Sequence, residues 1–114
     1  MRRVPKENRS LSQSEPSSAR NVAILKALAN PQRLRMAWVL SQSDHTVNVL
    51  ANLLGLKQSF TSQQLGILRA SGIVEGARFG GGVRYKLVEP KAKSLIRCLA
   101  QGCNSATAKK RPSC

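Results

Sequence analysis

The sequence predicts a mainly α-helical domain that carries one small β-hairpin toward its C-terminal end. Three observations lead there. Apolar residues recur at three- and four-residue spacings in successive segments between Ser18 and Ala70. The period then becomes extended across residues 73–88, on either side of the run Gly80-Gly81-Gly82. A chain of 114 residues, 41% of them hydrophobic, holds one small core and leaves no room for a second domain of ordinary size.

The elements follow in order. Val22, Leu25, Leu28 and Ala29 define a first helix from about Ser18 to Ala29. Asn30-Pro31 starts a second, because Asn is a favoured N-cap and Pro already has the φ of a first helical residue. It carries Leu34 and Trp38 to about Leu40, with Ser43-Asp44-His45 as its exit turn. A short extended piece at Thr46-Val47 leads to a third helix, Val49 to Leu54, which Asn48 caps and Gly55 ends in the left-handed conformation. The fourth helix runs from about Gln58 to Ala70. Its inward stripe is Thr61, Leu65 and Leu68, flanked by Phe60 and Ile67, while Ser59, Ser62, Gln63 and Gly66 face outward. Two strands then meet at the glycine tip. Glu89-Pro90 opens a last helix with Ala92, Leu95, Ile96 and Leu99 on one face, ending near Gly102. The order is α-α-α-α-β-β-α.

Residues 1–17 are expected to form a mobile basic arm, 18–101 the folded domain and 102–114 a flexible basic tail that carries cysteine. Five Ser and two Pro among the first twenty residues, with almost no large apolar group, cannot repay the entropy of ordering. No apolar run approaches the roughly 18 residues that cross a bilayer, and MRRVPKENRS is followed by LSQSEPSSAR instead of an apolar stretch. The expectation is a cytoplasmic protein with no membrane partner. Cys98, Cys103 and Cys114 are odd in number and confined to the last 17 residues, so no disulfide framework holds the fold.

Charge narrows the function. The chain holds 19 Lys and Arg against 5 Asp and Glu, a net charge of +14, and the excess runs through the folded part as well as the ends. Two helices joined by a tight glycine turn, the second with a small uncharged outer face and a basic hairpin after it, are the parts of a winged helix-turn-helix. A helix enters the major groove when its outer side chains are short and offer donors and acceptors to base edges. Gln58, Ser59, Ser62, Gln63 and Gln64 are therefore the candidates for base or nearby phosphate contacts on double-stranded DNA. Lys57, Arg69, Arg78, Arg84 and Lys86 are the candidates for the phosphate backbone, which dominates affinity without specifying sequence. Arg33 and Arg35 read as solvated charges and His45 as a turn residue. An enzyme is excluded by the lack of a nucleophile-base pair, of a phosphate-cradling Gly-x-x-x-x-Gly-Lys-Ser/Thr loop, and of enough carboxylates. Two other classes stay open: a general nucleic-acid binder that uses the field alone, and a module whose apolar end helices engage another protein.

The run LKALANPQRLRMAWVL, followed by VNVLANLLGLKQSFTSQQLGILRASGIVEGARFGGGVRYKL, resembles the ArsR/SmtB family of small bacterial winged-helix repressors over about residues 21–97. The most specific pieces are Leu-Ala-Asn-Pro-x-Arg-Leu, Leu-Gly-Leu-x-Gln-Ser ahead of the fourth helix, and Arg84-Tyr85-Lys86-Leu87 at the end of the hairpin. The resemblance implies a homodimer through the first and last helices, and the apolar residues Val22, Leu25, Leu28, Leu95, Ile96 and Leu99 agree with such an interface. It also implies a repressor whose two fourth helices read an imperfect palindrome with half-sites roughly 10 bp apart. The chain departs from the family at both metal sites. Thr46-Val47-Asn48 stands where metal-sensing members carry Cys-Val-Cys, and the last helix has neither His nor Asp. No cofactor is required. Cys98 and Cys103 are a candidate thiolate site for a metalloid or metal ion, or for oxidation, set against a reading as inert cysteines.

Overall fold

The computed structural model describes residues 15–101. Most of the expected arm at 1–17 and all of the tail at 102–114, with Cys103 and Cys114, lie outside them. The elements are α1 (Ala19–Leu28), α2 (Pro31–Gln42), β1 (His45–Thr46), α3 (Val47–Leu54), α4 (Gln58–Ala70), β2 (Val74–Phe79), β3 (Gly82–Leu87) and α5 (Pro90–Gln101).

Local chemistry accounts for most boundaries. Ser18 caps α1 by accepting the Asn21 N–H at 3.1 Å. Asn30 caps α2 by accepting from the N–H groups of Gln32 and Arg33 at 2.9 and 3.1 Å, with Pro31 in the first position, an arrangement worth about 1 kcal/mol. α2 continues through Ser41 and Gln42, two residues past the expected end at Leu40. α3 starts at Val47, earlier than expected, because Thr46 and not Asn48 is its cap. The extended piece shifts accordingly to His45–Thr46, where pairing with Tyr85 and Arg84 of β3 holds both residues. His45 thus lies in a strand, with its Nε2 3.0 Å from Ser43 Oγ.

The sheet is antiparallel in the order β1-β3-β2. β2 and β3 pair from Val74↔Leu87 to Phe79↔Gly82, leaving a two-residue turn whose glycines, Gly80 and Gly81, have φ of 49° and 90°. Two consecutive positive φ values are what this tightest hairpin demands.

Ile24, Leu28, Met36, Leu40, Leu50, Leu65, Leu68, Ile73, Val74, Leu87 and Ile96 form one core to which every helix contributes. This divides the expected interface set. Leu28 and Ile96, at 4% and 2% exposure, are spent within the chain's own core, whereas Val22, Leu25 and Leu99 remain exposed and Leu95 is half-buried. The apolar spacing of α1 combines two faces: Ile24, Ala27 and Leu28 point inward, and Val22 and Leu25 point away. α5 packs on α2, and an open apolar groove of about 480 Å³ runs between them, with Trp38 and Leu99 on its walls.

A polar clamp ties the ends together. Arg20 donates to the Ser71 carbonyl at 2.7 Å and forms an ion pair with Glu89. Glu89 also accepts the Lys91 N–H at 3.0 Å, and Lys91 Nζ donates to Asn21 Oδ1 at 2.8 Å. α1, the turn after α4 and the start of α5 are thereby linked. No described helix is long and apolar enough to cross a membrane.

Candidate nucleic-acid interface

α3 and α4 are joined by Gly55-Leu56-Lys57. Gly55 sits at φ 69°, and the Leu56 N–H returns to the Ala51 carbonyl at 2.9 Å, closing the end of α3 and setting the angle at which α4 departs. α4 is anchored from within by Thr61, Gln64, Leu65 and Leu68, positions one helical face apart. The buried Thr61 hydroxyl is satisfied by donating to the Lys57 carbonyl at 2.9 Å.

The opposite face carries Ser59, Ser62, Gln63 and Gly66 at spacings of three, four and seven, all exposed. Gln58 is exposed beside them, and Lys57 and Arg69 stand exposed at the two ends. The result is a shallow, uncharged strip of hydroxyl, amide and bare backbone between two cations. Such a surface can approach base edges closely while its ends hold phosphates.

Gln64 does not join that strip. It is only 9% exposed, and its Oε1 accepts from Arg33 Nη1 at 2.9 Å. Its polarity suggested an outward direction, but it lies three residues from Thr61 and four from Leu68, which is the inward face. Arg33 is likewise no free solvated charge: it is half-buried, and its Nε donates to the Ala27 carbonyl at 2.7 Å. Arg35 is exposed but also partnered, by Gln32 Oε1 at 2.7 Å and the Leu54 carbonyl at 3.3 Å.

The hairpin sorts its cations by face. Register places Arg84 opposite Ala77 and Lys86 opposite Glu75 on one side, while Arg78 stands opposite Val83 on the other. Arg84 and Lys86 therefore act together and Arg78 apart; all three are exposed. On the side of Val83 and Tyr85, Gly76 leaves room for those side chains, since a Cβ there would lie 2.8 Å from Val83 and 3.1 Å from Tyr85.

The thiol candidates divide as well. Cys98 is half-buried on α5 and has no disulfide partner among the described residues, and Cys103 lies outside them. Among the described residues no three His, Cys, Asp or Glu side chains gather as a metal site.

Comparison with known proteins agrees with this architecture. A family model described as bacterial regulatory protein, arsR family, matches residues 30–76, from the Asn30 cap through α4 into β2. The chain is 45% identical over 82 residues to the biofilm growth-associated repressor of Agrobacterium fabrum, covering 71% of this chain and 70% of that one. It is 36% identical over 89 residues to the transcriptional activator HlyU of Vibrio cholerae, covering 78% and 82%. The solved structure of HlyU from that species superposes with a TM-score of 0.71 over 76% of this chain and 95% of that one. The homodimeric winged helix-turn-helix DNA-binding domain of Mb0332 from Mycobacterium bovis superposes at 0.66 with 26% identity, over 89% and 87%. The chain belongs to the arsR family of bacterial regulatory proteins, and it is a winged helix-turn-helix DNA-binding transcriptional regulator, not an enzyme.

Proposed function

We propose that the chain is a cytoplasmic homodimeric repressor that occludes a promoter by binding an imperfect palindrome, one α4 in each of two successive major grooves. The observation that carries this reading is the outer strip of α4, where Ser59, Ser62, Gln63 and Gly66 are exposed, small or uncharged, and flanked by Lys57 and Arg69. Gln58 lies at the start of this surface. The hairpin lies over the flanking backbone, with Arg84 and Lys86 as one phosphate-binding pair and Arg78 on its other face.

Two-fold pairing is supported by the apolar residues that the core leaves outside. Val22, Leu25, Trp38 and Leu99 are 36%, 54%, 46% and 55% exposed, more large apolar surface on α1, α2 and α5 than a lone small domain needs. The homodimeric form of the Mycobacterium bovis relative supports the same arrangement. Repression is favoured by the higher identity to the Agrobacterium repressor than to the Vibrio activator. Occlusion also demands nothing beyond DNA binding. Cys98 and Cys103 are the proposed inducer site, taking a thiophilic metalloid or metal ion or responding to oxidation.

Selection of bound duplexes from a random pool, with the winner and a scrambled control compared at two salt concentrations, tests the reading. A palindrome with half-site centres roughly 10 bp apart supports it. Gln63→Ala should then relax preference at one base position by about 1–3 kcal/mol. No enriched sequence, with affinity set by salt alone, would instead identify a non-specific nucleic-acid binder.

A further inference from the structure

The last turn of α1 has an acceptor that its own helix cannot satisfy. The Ala27 carbonyl would ordinarily meet the N–H four residues on, but that residue is Pro31, which has none. Ala27 is 4% exposed, so solvent is a poor substitute. Arg33, in the first turn of α2, supplies the donor: its Nε lies 2.7 Å from the Ala27 oxygen. The same guanidinium extends Nη1 to Gln64 Oε1 at 2.9 Å. One planar group thus joins α1, α2 and the middle of α4.

Its effect on α4 differs from that of the core. Leu65 and Leu68 hold the helix against its neighbours, but apolar contact is non-directional and tolerates small rotation about the helix axis. A charged hydrogen bond to a buried amide is directional. Gln64 adjoins Gln63 in the chain, so its tether sets the rotation of α4 and with it the direction in which Ser62, Gln63 and Gly66 point. Lysine could not reproduce this, because its single ammonium lacks the fixed fork that reaches two acceptors in different directions.

We infer that Arg33 is a positioning residue for sequence discrimination, acting through Gln64 on the orientation of α4. The inference rests on the operator-binding reading above. Arg33→Lys, Gln64→Met, the double variant and Gln64→Glu would be compared with the parent for binding to the selected palindrome and to a scrambled duplex, well below the melting temperature. Each of the first two should lower the ratio of the two affinities about tenfold, the scale of one lost charged hydrogen bond. Binding of Arg33→Lys to the scrambled duplex should not change, since the charge is kept. The double variant should lose no more than the worse single one, because both cut the same bond. Gln64→Glu, which keeps an acceptor for Arg33, should retain the ratio. An unchanged ratio in Arg33→Lys, or losses that add in the double variant, would overturn the inference, even if the melting temperature falls. A parent protein with no sequence preference sinks the operator reading itself. Amide exchange then decides the bridge alone: Arg33→Lys speeds exchange in α4 relative to α3 if the bridge orients the helix, and leaves it unchanged if not.

Discussion

The Arg84 guanidinium carbon lies 3.9 Å from the centroid of the Phe79 ring, near the tip of the hairpin. The two are diagonal neighbours on one face, Arg84 opposite Ala77 and Phe79 opposite Gly82, so small residues leave the space in which the cation lies over the ring. Phe79 is 52% exposed, and stacking on it restrains the cation in solvent before any DNA arrives. Arg84→Ala is therefore expected to weaken binding to every duplex by a similar factor and to reduce the salt slope by about one. Phe79→Leu should leave the slope unchanged and cost only about 0.5–1 kcal/mol, the size of an exposed cation–π pair. Titrations at several salt concentrations distinguish the two; a sequence-dependent loss in Arg84→Ala would move that residue from backbone to base recognition.

The surface left apolar on α1 and α5 makes a second prediction. Leu25 and Leu99 are 54% and 55% exposed, so Leu25→Asp or Leu99→Asp should leave the protomer cooperatively folded while placing a carboxylate in the proposed interface. Sedimentation should show monomers, and affinity for the palindrome should fall about a hundredfold or more as two-site binding is lost. Trp38, the sole tryptophan of the chain, offers a second readout. Its emission should depend on protein concentration in the parent and not in either variant. A dimer that persists in both would place the interface elsewhere.

The pattern of what could be read in advance has a physical cause. α4 was legible from end to end because Gly55 and Ser71-Gly72 punctuate it and its inward stripe at Thr61, Leu65 and Leu68 is strictly local. The direction of Gln64 was not, because its partner Arg33 is 31 residues away and residue type argued against spacing. The start of α3 was expected at an Asn48 cap, and Thr46 caps it instead, held by a pairing with Arg84 of β3 that lies far along the chain. The outer strip and the basic hairpin were visible as composition. That Arg84 and Lys86 share a face while Arg78 does not follows only once the strand register is known.

The clamp at Glu89 predicts a pH dependence. The Lys91 N–H bonded to its carboxylate, with the Arg20 guanidinium beside it, holds the Glu89 carboxyl below its ordinary value of 4.5 despite the opposing effect of partial burial. A carboxylate whose folded pKa is depressed stabilises the fold at any pH above the unfolded value, and this contribution is lost as pH falls through the folded one. The stabilisation from Glu89 should thus be full and independent of pH near neutrality, and should begin to fall as pH drops below about 4.5. In Glu89→Gln that part of the acid loss should be absent, from a lower starting stability. Melting curves of both proteins between pH 7 and 3 check this, and parallel acid profiles would remove Glu89 as a contributor.

Gly66 separates stability from function. A glycine inside a helix is less favourable than alanine by roughly 1 kcal/mol, and here a Cβ would meet nothing within 4 Å. Nothing within the protomer requires the glycine. It does share the outer face of α4 with Ser59, Ser62 and Gln63, where a bare backbone permits the closest approach to a groove. Gly66→Ala should therefore raise the free energy of unfolding by about 0.5–1 kcal/mol while weakening the palindrome complex, and Gly66→Leu should weaken it further as the side chain meets the groove. Denaturant melts and duplex titrations on the same preparations give both numbers. If Gly66→Leu binds the palindrome as tightly as the parent, this face of α4 does not lie against DNA, and the assignment of Ser59, Ser62 and Gln63 falls with it.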